Sequence, residues 1–546
     1  MQKFIKAAEE APCKQACPAG IDIPRYIRLI RNKKYNEALG VIREKIPLPS
    51  VCGRICFRPC EEVCKTSALG TPVAINALKR FAADEGNFEE TNAAESTGKR
   101  AAVIGSGPAG LTCAYYLAKL GHDVTIFDEM PEPGGMMRVG IPSHRLPRDV
   151  LDEEIDRIKA VGVEIRTDYR VESLDEIFAK GFDVVFVGTG APKGRKLGCE
   201  GEDNPAIKDG LSFLKDVNTG KEVTLGEKVG VIGGGNVAID SARVARRLGC
   251  EDVTILYRRS RTEMPAHAEE IEEALNEGVN IIYLVAPDNI CQLDDGLSLE
   301  CLRMELGEPD PSGRLCCVPV EGGKLDMPFD NIIVAVGQGV ELPEAFDLNF
   351  DHERNSLKME SDTLETSRKG VFAGGDVVSG PATVIQAIAM GRQAAQSMDR
   401  FLGGEGRIDE KLVPVDEEVM PVILGLPVDK RVGVPKVPVE KRLTQLLEVE
   451  ATYSEKSAIE EATRCLQCDL PIGVDGENCT VCMVCQMICA FKFTGNSFNA
   501  LESAIELKRT PLGTCEATFT DQCDNCGLCA RYCAYGALWR GEYGFA

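Results

Sequence analysis

Cysteine placement restricts the folding of this 546-residue chain more than any other feature of its sequence. The chain has 24 cysteines, of which six lie between Cys13 and Cys64 and eleven between Cys465 and Cys533. Disulfide frameworks are typical of much shorter secreted domains, and no apolar leader is expected before Cys13. Clustering at both ends therefore indicates metal ligands. With only 4 histidines, the composition favours iron–sulfur clusters over mixed zinc sites.

The cysteines near the C-terminus repeat one spacing twice, C-x2-C-x2-C-x3-C. This spacing is similar to that of bacterial two-cluster ferredoxins, in which the first three cysteines bind one cubane and the fourth binds the other. Alanine follows the fourth cysteine in both repeats, at Ala490 and Ala534, where those ferredoxins have proline. We predict two [4Fe-4S] clusters with these ligands: Cys479, Cys482, Cys485, Cys489, Cys523, Cys526, Cys529 and Cys533.

Two nucleotide sites are indicated by glycine-rich turns that each follow a short apolar strand and open a helix. The first turn contains Gly105, Gly107 and Gly110, and the strand after its helix ends at Asp128. The first glycine permits a tight turn, the second lets a pyrophosphate approach the backbone, and the third lets the helix pack on the strand. Asp128, or Glu129 beside it, is placed to accept hydrogen bonds from ribose hydroxyls, so we predict a bound dinucleotide.

The second turn repeats this arrangement at Gly233, Gly235, Asn236 and Ala238. The strand after its helix ends in a basic pair, Arg258 and Arg259, in place of an acid. Such a pair can hold the 2′-phosphate of NADP, which an acid would repel, so NADP is preferred over NAD. The alternative is that both arginines only face solvent.

A later segment, GVFAGGDVVSGPATVIQAIAMGRQAA, completes the first nucleotide domain after residues 331–338 return the chain to it. Asp376, which follows Gly375, can hydrogen-bond the ribityl chain or pyrophosphate of FAD. A helix that begins near Thr383 would direct its N-terminal amides at the flavin ring and favour the anionic reduced form. The alternative is a turn unrelated to cofactor binding.

Four runs carry a family resemblance: GGMMRVGIPSHRLPRDV, GGGNVAIDSARVARRLG, YRRSRTEMPAHAEEIEEALNEGV and GVFAGGDV. With them, over roughly residues 10–470, the chain resembles the glutamate synthase small-subunit family. The same module serves in dihydropyrimidine dehydrogenase and in NADPH:ferredoxin oxidoreductases. The resemblance implies FAD around Gly105–Gly110, Asp128, Gly134, Gly135 and Asp376, and NAD(P)H around Gly233–Ala238, Arg258 and Arg259.

The resemblance also bears on the N-terminal cysteines. That family carries two clusters in this region, with an additional C-x-x-C before the position of Cys13 that is missing here. A matching pair, Cys465 and Cys468, instead follows the run EEATR. We hypothesise that this pair returns in space, within the chain or across a dimer, to join Cys13 and Cys64. The alternative is that the pair is free or structural.

A second N-terminal cluster would be held by Cys17, Cys56 and Cys60, with Cys52 or a non-cysteine group as fourth ligand. Relatives can use a glutamine there, but the equivalent stretch here is Leu78-Lys79-Arg80. Together these sets reach sixteen cysteines, the number that four all-cysteine cubanes need. The other eight cysteines have no ligand spacing and are expected to be buried or incidental thiols.

We predict a multidomain fold with an N-terminal α-helical iron–sulfur domain, two nested α/β Rossmann-like nucleotide-binding domains and a C-terminal α+β ferredoxin-like domain. A stretch rich in proline and charge indicates an extended linker before the last domain. The expected boundaries are 1–98 for the helical domain, 99–224 and 334–402 for the FAD domain, 225–333 for the NAD(P) domain, 403–464 for the linker and a helix, and 465–546 for the ferredoxin domain.

The formal net charge of −23 disfavours nucleic acid and anionic membranes as partners. No apolar run approaches the ~18 residues that a membrane span needs. We therefore expect no membrane insertion and a cytoplasmic location.

The expected function is that of an electron-transfer oxidoreductase subunit, which exchanges electrons in either direction between NAD(P)(H), FAD and [4Fe-4S] clusters. Hydride transfer needs no acid–base side chain, so no catalytic residue is predicted. Because the chain lacks a substrate domain, its partner should be a ferredoxin or a larger redox enzyme in a hetero-oligomer.

Three other functions are compatible with parts of the sequence. The first is the small subunit of glutamate synthase itself, against which the added ferredoxin module argues. A thiol–disulfide reductase is disfavoured because residues 225–333 contain no C-x-x-C. A non-enzymatic iron–sulfur scaffold is disfavoured by the two nucleotide sites.

Overall fold

A computed structural model of the chain describes residues 2–7, 9–89, 93–294, 296–309, 315–414, 430–444, 447–511 and 513–541. The chain forms two compact units. The first comprises Met1–Glu89, Asp409–Pro435 and Thr452–Ala546, and the second comprises Glu90–Ile408 and Lys436–Ala451. Parts of the expected linker, residues 415–429, 445 and 446, lie outside the described residues.

The first unit opens with short helices, four of which have proline in their first turn, where its fixed φ suits a helix and its missing N–H is not needed. Helix Ile75–Glu85 packs on helix Pro49–Ile55 at Gly53, where a Cβ would lie 2.8 Å from Arg80 Cα. The helices of this region, including one 3-10 helix, are Pro12–Gln15, Ile23–Arg31, Tyr35–Arg43, Pro49–Ile55, Pro59–Glu62, Lys65–Leu69 and Ile75–Glu85.

One strand in this region departs from the purely helical expectation. Gln2–Lys6 pairs antiparallel with Ile472–Asp475, which in turn pairs with Leu538–Arg540. The strand obtains its hydrogen bonds from a partner at the other end of the chain, so no local pattern could reveal it.

The C-terminal part of the first unit combines short helices with a hairpin. The helical segment expected before the last cysteine-rich region is present as Glu455–Thr463, capped by the Ser454 side chain. The remaining elements are helices Val484–Thr494 and Leu528–Arg531, the 3-10 helix Ala500–Glu502, and the paired strands Ile505–Arg509 and Cys515–Phe519.

The second unit contains two five-stranded parallel sheets, which agrees with the predicted Rossmann-like organisation. The order in the first sheet is Val371–Ala373, Val184–Val187, Arg100–Ile104, Asp123–Phe127 and Val163–Arg166. Four of these strands lie within residues 100–187, and the fifth, Val371–Ala373, comes from a later segment. The strands of the second sheet lie between them in the sequence, so the two nucleotide domains are nested.

The order in the second sheet is Asn280–Tyr283, Asp252–Tyr257, Lys228–Ile232, Asn331–Val334 and Ile207–Asp209. One strand of this sheet, Ile207–Asp209, lies before residue 225, the expected start of the second nucleotide domain. Ile207–Asp209 joins this sheet by parallel pairing with Asn331–Val334. It has only three residues, all of them partly exposed, so its sequence shows no strand pattern.

The described part of the second unit also contains one three-stranded antiparallel sheet and two small antiparallel pairs. The sheet consists of Val285–Leu293, Gly296–Pro309 and Leu315–Phe329, and the pairs are Lys193–Gly194 with Gln338–Gly339 and Phe350–Asp351 with Ser356–Leu357. None of the helices in the described part of the chain is both long and apolar enough to cross a membrane. The helices of the second unit, two of them 3-10, are Pro108–Lys119, Met136–Val139, Arg148–Ala160, Leu174–Ala179, Gly210–Asn218, Asn236–Arg247, Arg261–Glu263, Ala268–Asn276, Glu344–Phe346, Asp376–Ser379, Val384–Phe401 and Val439–Arg442.

Candidate functional site

The first glycine turn, residues 105–110, leaves no room for side chains at two of its glycines. Gly105 has φ of +99°, and a Cβ there would lie 2.5 Å from the carbonyl oxygen of Gly188. A Cβ on Gly110 would overlap the carbonyl oxygen of Gly105. The tight turn and the close helix packing therefore both require glycine, as the motif predicts.

Gly107 is the opposite case, because a Cβ there would meet no heavy atom within 4 Å. It is the N-cap of helix Pro108–Lys119, whose first amides have no intrahelical partner. Open space beside free amides and the positive end of a helix dipole fits a phosphate group. The first glycine turn is thus shaped to receive the pyrophosphate of a dinucleotide.

Asp128 and Glu129 have different surroundings. The Asp128 carboxylate is buried and accepts hydrogen bonds from Ser106 N at 2.7 Å, Ser106 Oγ at 2.5 Å and Met130 N at 2.8 Å. Glu129 is exposed and accepts from Arg170 Nη1 at 2.9 Å. Asp128 therefore holds the glycine turn in shape through Ser106, a residue that the glycine spacing does not mark.

The other residues assigned to the first site converge on the same turn. A Cβ on Gly135 would lie 2.8 Å from Gly107 Cα, and Gly134 N donates to Ser106 Oγ at 2.9 Å. A Cβ on Gly375 would lie 3.0 Å from the Cβ of Ala109. Two distant segments of the chain, each with a glycine of positive φ, thus border the first glycine turn.

Asp376 and Thr383 organise the segment that closes this site. Burial raises the pKa of Asp376 to about 6, and its Oδ1 accepts from Ala382 N at 3.2 Å. Thr383 is the N-cap of helix Val384–Phe401 and forms a capping box with Gln386. The helix therefore starts where the sequence predicted.

The second glycine turn, residues 233–238, has the same construction. Gly233 has φ of +144°, and a Cβ there would overlap the carbonyl oxygen of Ala335. Gly235 is the N-cap of helix Asn236–Arg247 and faces open space, since a Cβ would meet nothing within 4 Å. Ala238 is fully buried. The second turn is therefore also shaped for a pyrophosphate.

The two arginines that follow strand Asp252–Tyr257 have different surroundings. Arg258 is exposed and makes no hydrogen bond or ion pair with any residue that the structure describes. Arg259 is half-buried, and its Nε donates to the carbonyl oxygen of Leu315 at 2.9 Å. The segment that follows is tied to the turn, because His267 N donates to Asn236 Oδ1 at 3.3 Å. Arg258 is therefore the more exposed of the two, and its whole guanidinium is available to a phosphate.

Charged residues from three of the runs quoted above meet in a buried network that sequence reasoning missed. Arg145 lies 2.7 Å from Asp240 and 3.3 Å from Glu270, and Arg243 pairs with both Glu270 and Glu277. Burial raises the pKa of Asp240 to about 6, although Arg145 opposes that shift. The network joins the loop after Gly134-Gly135 to the helices of the second sheet and explains these charges structurally.

The structure brings Cys465 and Cys468 to the N-terminal cysteines. Burial raises the pKa of Cys13, and its nearness to Cys465, Cys468 and Cys64 raises it further. Burial likewise raises the pKa of Cys465 to about 12, with Cys468 and Cys64 among its neighbours. We call the following four thiols the joining set, with Cys60 of the next group as a further neighbour of Cys13: Cys13, Cys64, Cys465 and Cys468.

A second group surrounds a buried lysine and is called the lysine set: Cys17, Cys52, Cys56 and Cys60. Lys79 is 6% exposed on helix Ile75–Glu85. Although burial lowers the pKa of Lys79, its four neighbouring cysteines raise it above the usual value. Because Cys52 belongs to this group, Cys52 is the candidate fourth ligand of the second N-terminal cluster. Lys79 lies in the stretch where relatives can have a glutamine ligand.

In each ferredoxin-type repeat, the fourth cysteine lies near cysteines of the other repeat. Burial raises the pKa of Cys485 to about 12, and its charged neighbours are Cys533, Cys479 and Cys482. Burial also raises the pKa of Cys523, next to which lies Cys489. The first repeat set is therefore Cys479, Cys482, Cys485 and Cys533, and the second repeat set is Cys523, Cys526, Cys529 and Cys489.

The donor chemistry of these four sets suits clusters better than single ions. Within the described residues, no three cysteine, histidine, aspartate or glutamate side chains converge tightly enough to hold one metal ion. Each cysteine of a cubane binds a different iron, so its four sulfurs stand farther apart than the ligands of a single ion. Each set brings together four thiols, the number that an all-cysteine cubane uses, and the first repeat set has a further thiol beside it, because Cys515 is hydrogen-bonded to Cys479.

Known families match the N-terminal and the central parts of the chain. Residues 99–391 match the family described as pyridine nucleotide-disulphide oxidoreductase. Residues 6–91 match dihydropyrimidine dehydrogenase domain II, 4Fe-4S cluster. The resemblance drawn from the sequence runs is thereby confirmed.

Individual relatives span most of the chain. It is 41% identical over 502 residues to the NADP(+)-dependent formate dehydrogenase subunit beta of Moorella thermoacetica, covering 84% of this chain and 70% of that protein. It is 39% identical over 511 residues to the NADPH-Fe(3+) oxidoreductase subunit beta of Geobacter sulfurreducens (strain ATCC 51573 / DSM 12127 / PCA), covering 84% and 75%. It is 32% identical over 419 residues to the glutamate synthase [NADPH] small chain of Escherichia coli (strain K12), covering 71% and 88%. The chain belongs to the pyridine nucleotide-disulphide oxidoreductase family, as a flavin and iron–sulfur oxidoreductase that uses a pyridine nucleotide.

Proposed function

We propose that this chain is the subunit of a cytoplasmic hetero-oligomeric enzyme that exchanges electrons between NADPH, FAD and four [4Fe-4S] clusters. A ferredoxin or a redox partner subunit would receive or supply the electrons. The observation that carries the proposal is the grouping of sixteen cysteines into four sets of four within one compact unit. Relatives named as beta subunits support a multi-subunit assembly.

The spatial order of three of the cysteine sets supports an electron relay that ends at a defined set. Cys529 of the second repeat set lies near Cys485 of the first, and Lys65, next to Cys64 of the joining set, donates to the carbonyl oxygen of Asp524. Of the sixteen candidate ligands, all of them described, Cys482 alone is exposed. We therefore place the joining set before the two repeat sets and the exchange with a partner at the first repeat set, within a two-cluster ferredoxin domain.

The chain's own residues bind and orient the nucleotides in this scheme. The first glycine turn would hold the pyrophosphate of FAD, with Asp128 fixing the turn through Ser106. The second glycine turn would hold that of NADPH. The chemistry that these cofactors supply when bound is the conversion of a two-electron hydride into single electrons.

Substitution of Arg258 tests the preference for NADPH. Arg258→Ala is expected to lower kcat/KM for NADPH by ~10- to 150-fold, because a charge-assisted contact to the 2′-phosphate contributes ~1.5–3 kcal/mol. The value for NADH should not change, since NADH has no phosphate there. Initial rates of viologen reduction with each nucleotide measure both values.

Arg261→Ala is the matched control, because Arg261 lies three residues away, is exposed and pairs with Glu272. It should leave both nucleotides unaffected. Equal losses for NADPH and NADH in the Arg258 variant, or faster reduction by NADH in the parent chain, would contradict the assignment.

Anaerobic reduction by NADPH tests the proposed function as a whole. We expect addition of NADPH to bleach the flavin absorbance and to produce the EPR signals of reduced [4Fe-4S] clusters in samples frozen during the reaction. A flavin that bleaches while the clusters are reduced only by dithionite would show that the clusters are not connected to the nucleotide site.

A further inference from the structure

Two loops carry ligands of neighbouring sets: the pair loop, residues 465–468, and the repeat loop, residues 523–529. Arg540 lies between them at the end of strand Leu538–Arg540 and is 4% exposed. Together the loops and Arg540 border a small cavity lined by Cys465, Leu466, Gln467, Gly527, Ala530, Arg531 and Arg540.

The guanidinium of Arg540 ties the two loops through main-chain oxygens. Its Nη1 donates to the carbonyl oxygens of Leu466 at 2.9 Å and Gln467 at 2.8 Å in the pair loop. Its Nη2 donates to the carbonyl oxygen of Asn525 at 2.6 Å and to its side-chain oxygen at 2.5 Å in the repeat loop. A fixed planar fork with donors on both sides is a feature of arginine that lysine lacks.

The charge of Arg540 has no carboxylate partner among the described residues. A buried cation without a counter-charge is costly, and cysteines of the two loops would provide negative charge beside it as cluster-bound thiolates. The guanidinium contacts Leu466 and Gln467, which lie between Cys465 and Cys468, and Asn525, which lies between Cys523 and Cys526. The same cation thus lies beside ligands of the joining set and ligands of the second repeat set.

Two details indicate that this position is built for the guanidinium. Gly527 has φ of +78°, and a Cβ there would lie 2.7 Å from Arg540 Cζ, so the repeat loop admits the side chain only where it has glycine. The Nε of Arg540 is buried and has no hydrogen-bond partner in the described part of the chain. One N–H therefore remains for a group that the protein itself does not provide.

We propose that Arg540 is a positioning residue shared by two clusters, which sets the separation of the pair loop and the repeat loop and raises the reduction potential of both clusters. The proposal rests on the cluster assignment made above. Hydrogen bonds and positive charge near cluster sulfurs favour the reduced, more anionic state. Each cluster takes up one electron, and no bond in the chain is made or broken.

Potentiometric EPR of the intact, cluster-loaded chain tests this role. Arg540→Met is expected to lower the equilibrium constant for reduction of both clusters about tenfold, which is ~59 mV for a one-electron couple. Arg540→Lys keeps the charge and loses the fork. It should therefore retain most of the potential but change the spin–spin splitting between the two reduced clusters.

Lys492→Met is the matched control, since Lys492 lies near Cys526 and Cys489 but pairs with Asp524. It should alter the second repeat cluster alone. Full iron content with unchanged potentials and splitting in both Arg540 variants overturns the proposal. If Arg540→Met loses iron, the splitting and potentials of Arg540→Lys decide in the same way. A parent chain with fewer than four clusters would instead refute the assignment on which the proposal rests.

Discussion

Replacement of Gly107 by alanine is expected to abolish FAD binding while leaving the apoprotein as stable as the parent chain. A Cβ at this position meets no protein atom within 4 Å, and Gly107 has φ of −70° and ψ of −179°, which alanine adopts without strain. The methyl group would instead occupy the space open to a pyrophosphate. Losing two charge-assisted hydrogen bonds of ~1.5–3 kcal/mol each predicts at least about 100-fold weaker FAD binding.

Flavin absorbance after gel filtration measures retention of FAD, and thermal unfolding measures stability. Both chains should be stripped of FAD before unfolding, because a bound cofactor stabilises whichever chain retains it. Gly110→Ala is a contrasting variant, since its Cβ would overlap the carbonyl oxygen of Gly105 and should destabilise the apoprotein itself.

Gly235→Ala is the matched variant at the second turn, where the backbone has φ of −88° and the Cβ also meets open space. It should retain FAD and bind NADPH at least about 100-fold more weakly. Retention of FAD by Gly107→Ala, or loss of FAD from Gly235→Ala, would mean that the two turns do not have the separate roles assigned to them.

The double variant Cys465→Ser/Cys468→Ser is expected to lose one whole cluster. The joining set would keep only Cys13 and Cys64, and two thiolates do not hold a cubane. Iron should therefore fall from about sixteen to about twelve atoms per chain. Chemical iron analysis gives the count, and EPR of the dithionite-reduced protein should show one cluster signal fewer.

Cys291→Ser is the control, because Cys291 is exposed and lies outside all four sets. Its iron content should equal that of the parent chain. An unchanged iron content in the double variant would instead mean that Cys465 and Cys468 are free or structural thiols. Loss of both repeat clusters as well would indicate that the variant disturbs the C-terminal module and not one set alone.

Local sequence patterns were sufficient for the features whose parts lie within a few dozen residues. Strand Arg100–Ile104, the first glycine turn and helix Pro108–Lys119 occur where the motif predicts them, because the turn requires glycine at Gly105 and Gly110 for steric reasons. The repeated cysteine spacing is local in the same sense, since one tight loop presents three ligands to one cluster. The clash at Gly110 is with Gly105 in the same turn, whereas the clash at Gly105 is with Gly188 in a more distant segment.

Features that depend on contacts between distant segments were only partly accessible. The sequence predicted Gly134, Gly135 and Asp376 for the first site by resemblance, but it did not indicate that Ser106 connects Asp128 to Gly134. The sequence also left open whether Asp128 or Glu129 accepts hydrogen bonds from the ribose hydroxyls. In the structure only Asp128 bonds to the turn, through Ser106. Side-chain direction after a strand depends on neighbours such as Arg170, which no local spacing specifies.

The sequence by itself determined the family, the two nucleotide turns and the cysteines that could serve as ligands. Only the tertiary structure showed that Cys13 lies near Cys465, that Ile207–Asp209 extends the second sheet, and that Arg540 lies between the pair loop and the repeat loop. The physical reason is that spacing along the chain specifies a turn or a loop. The approach of Cys13 to Cys465 depends instead on how helices and strands from both ends of the chain pack together.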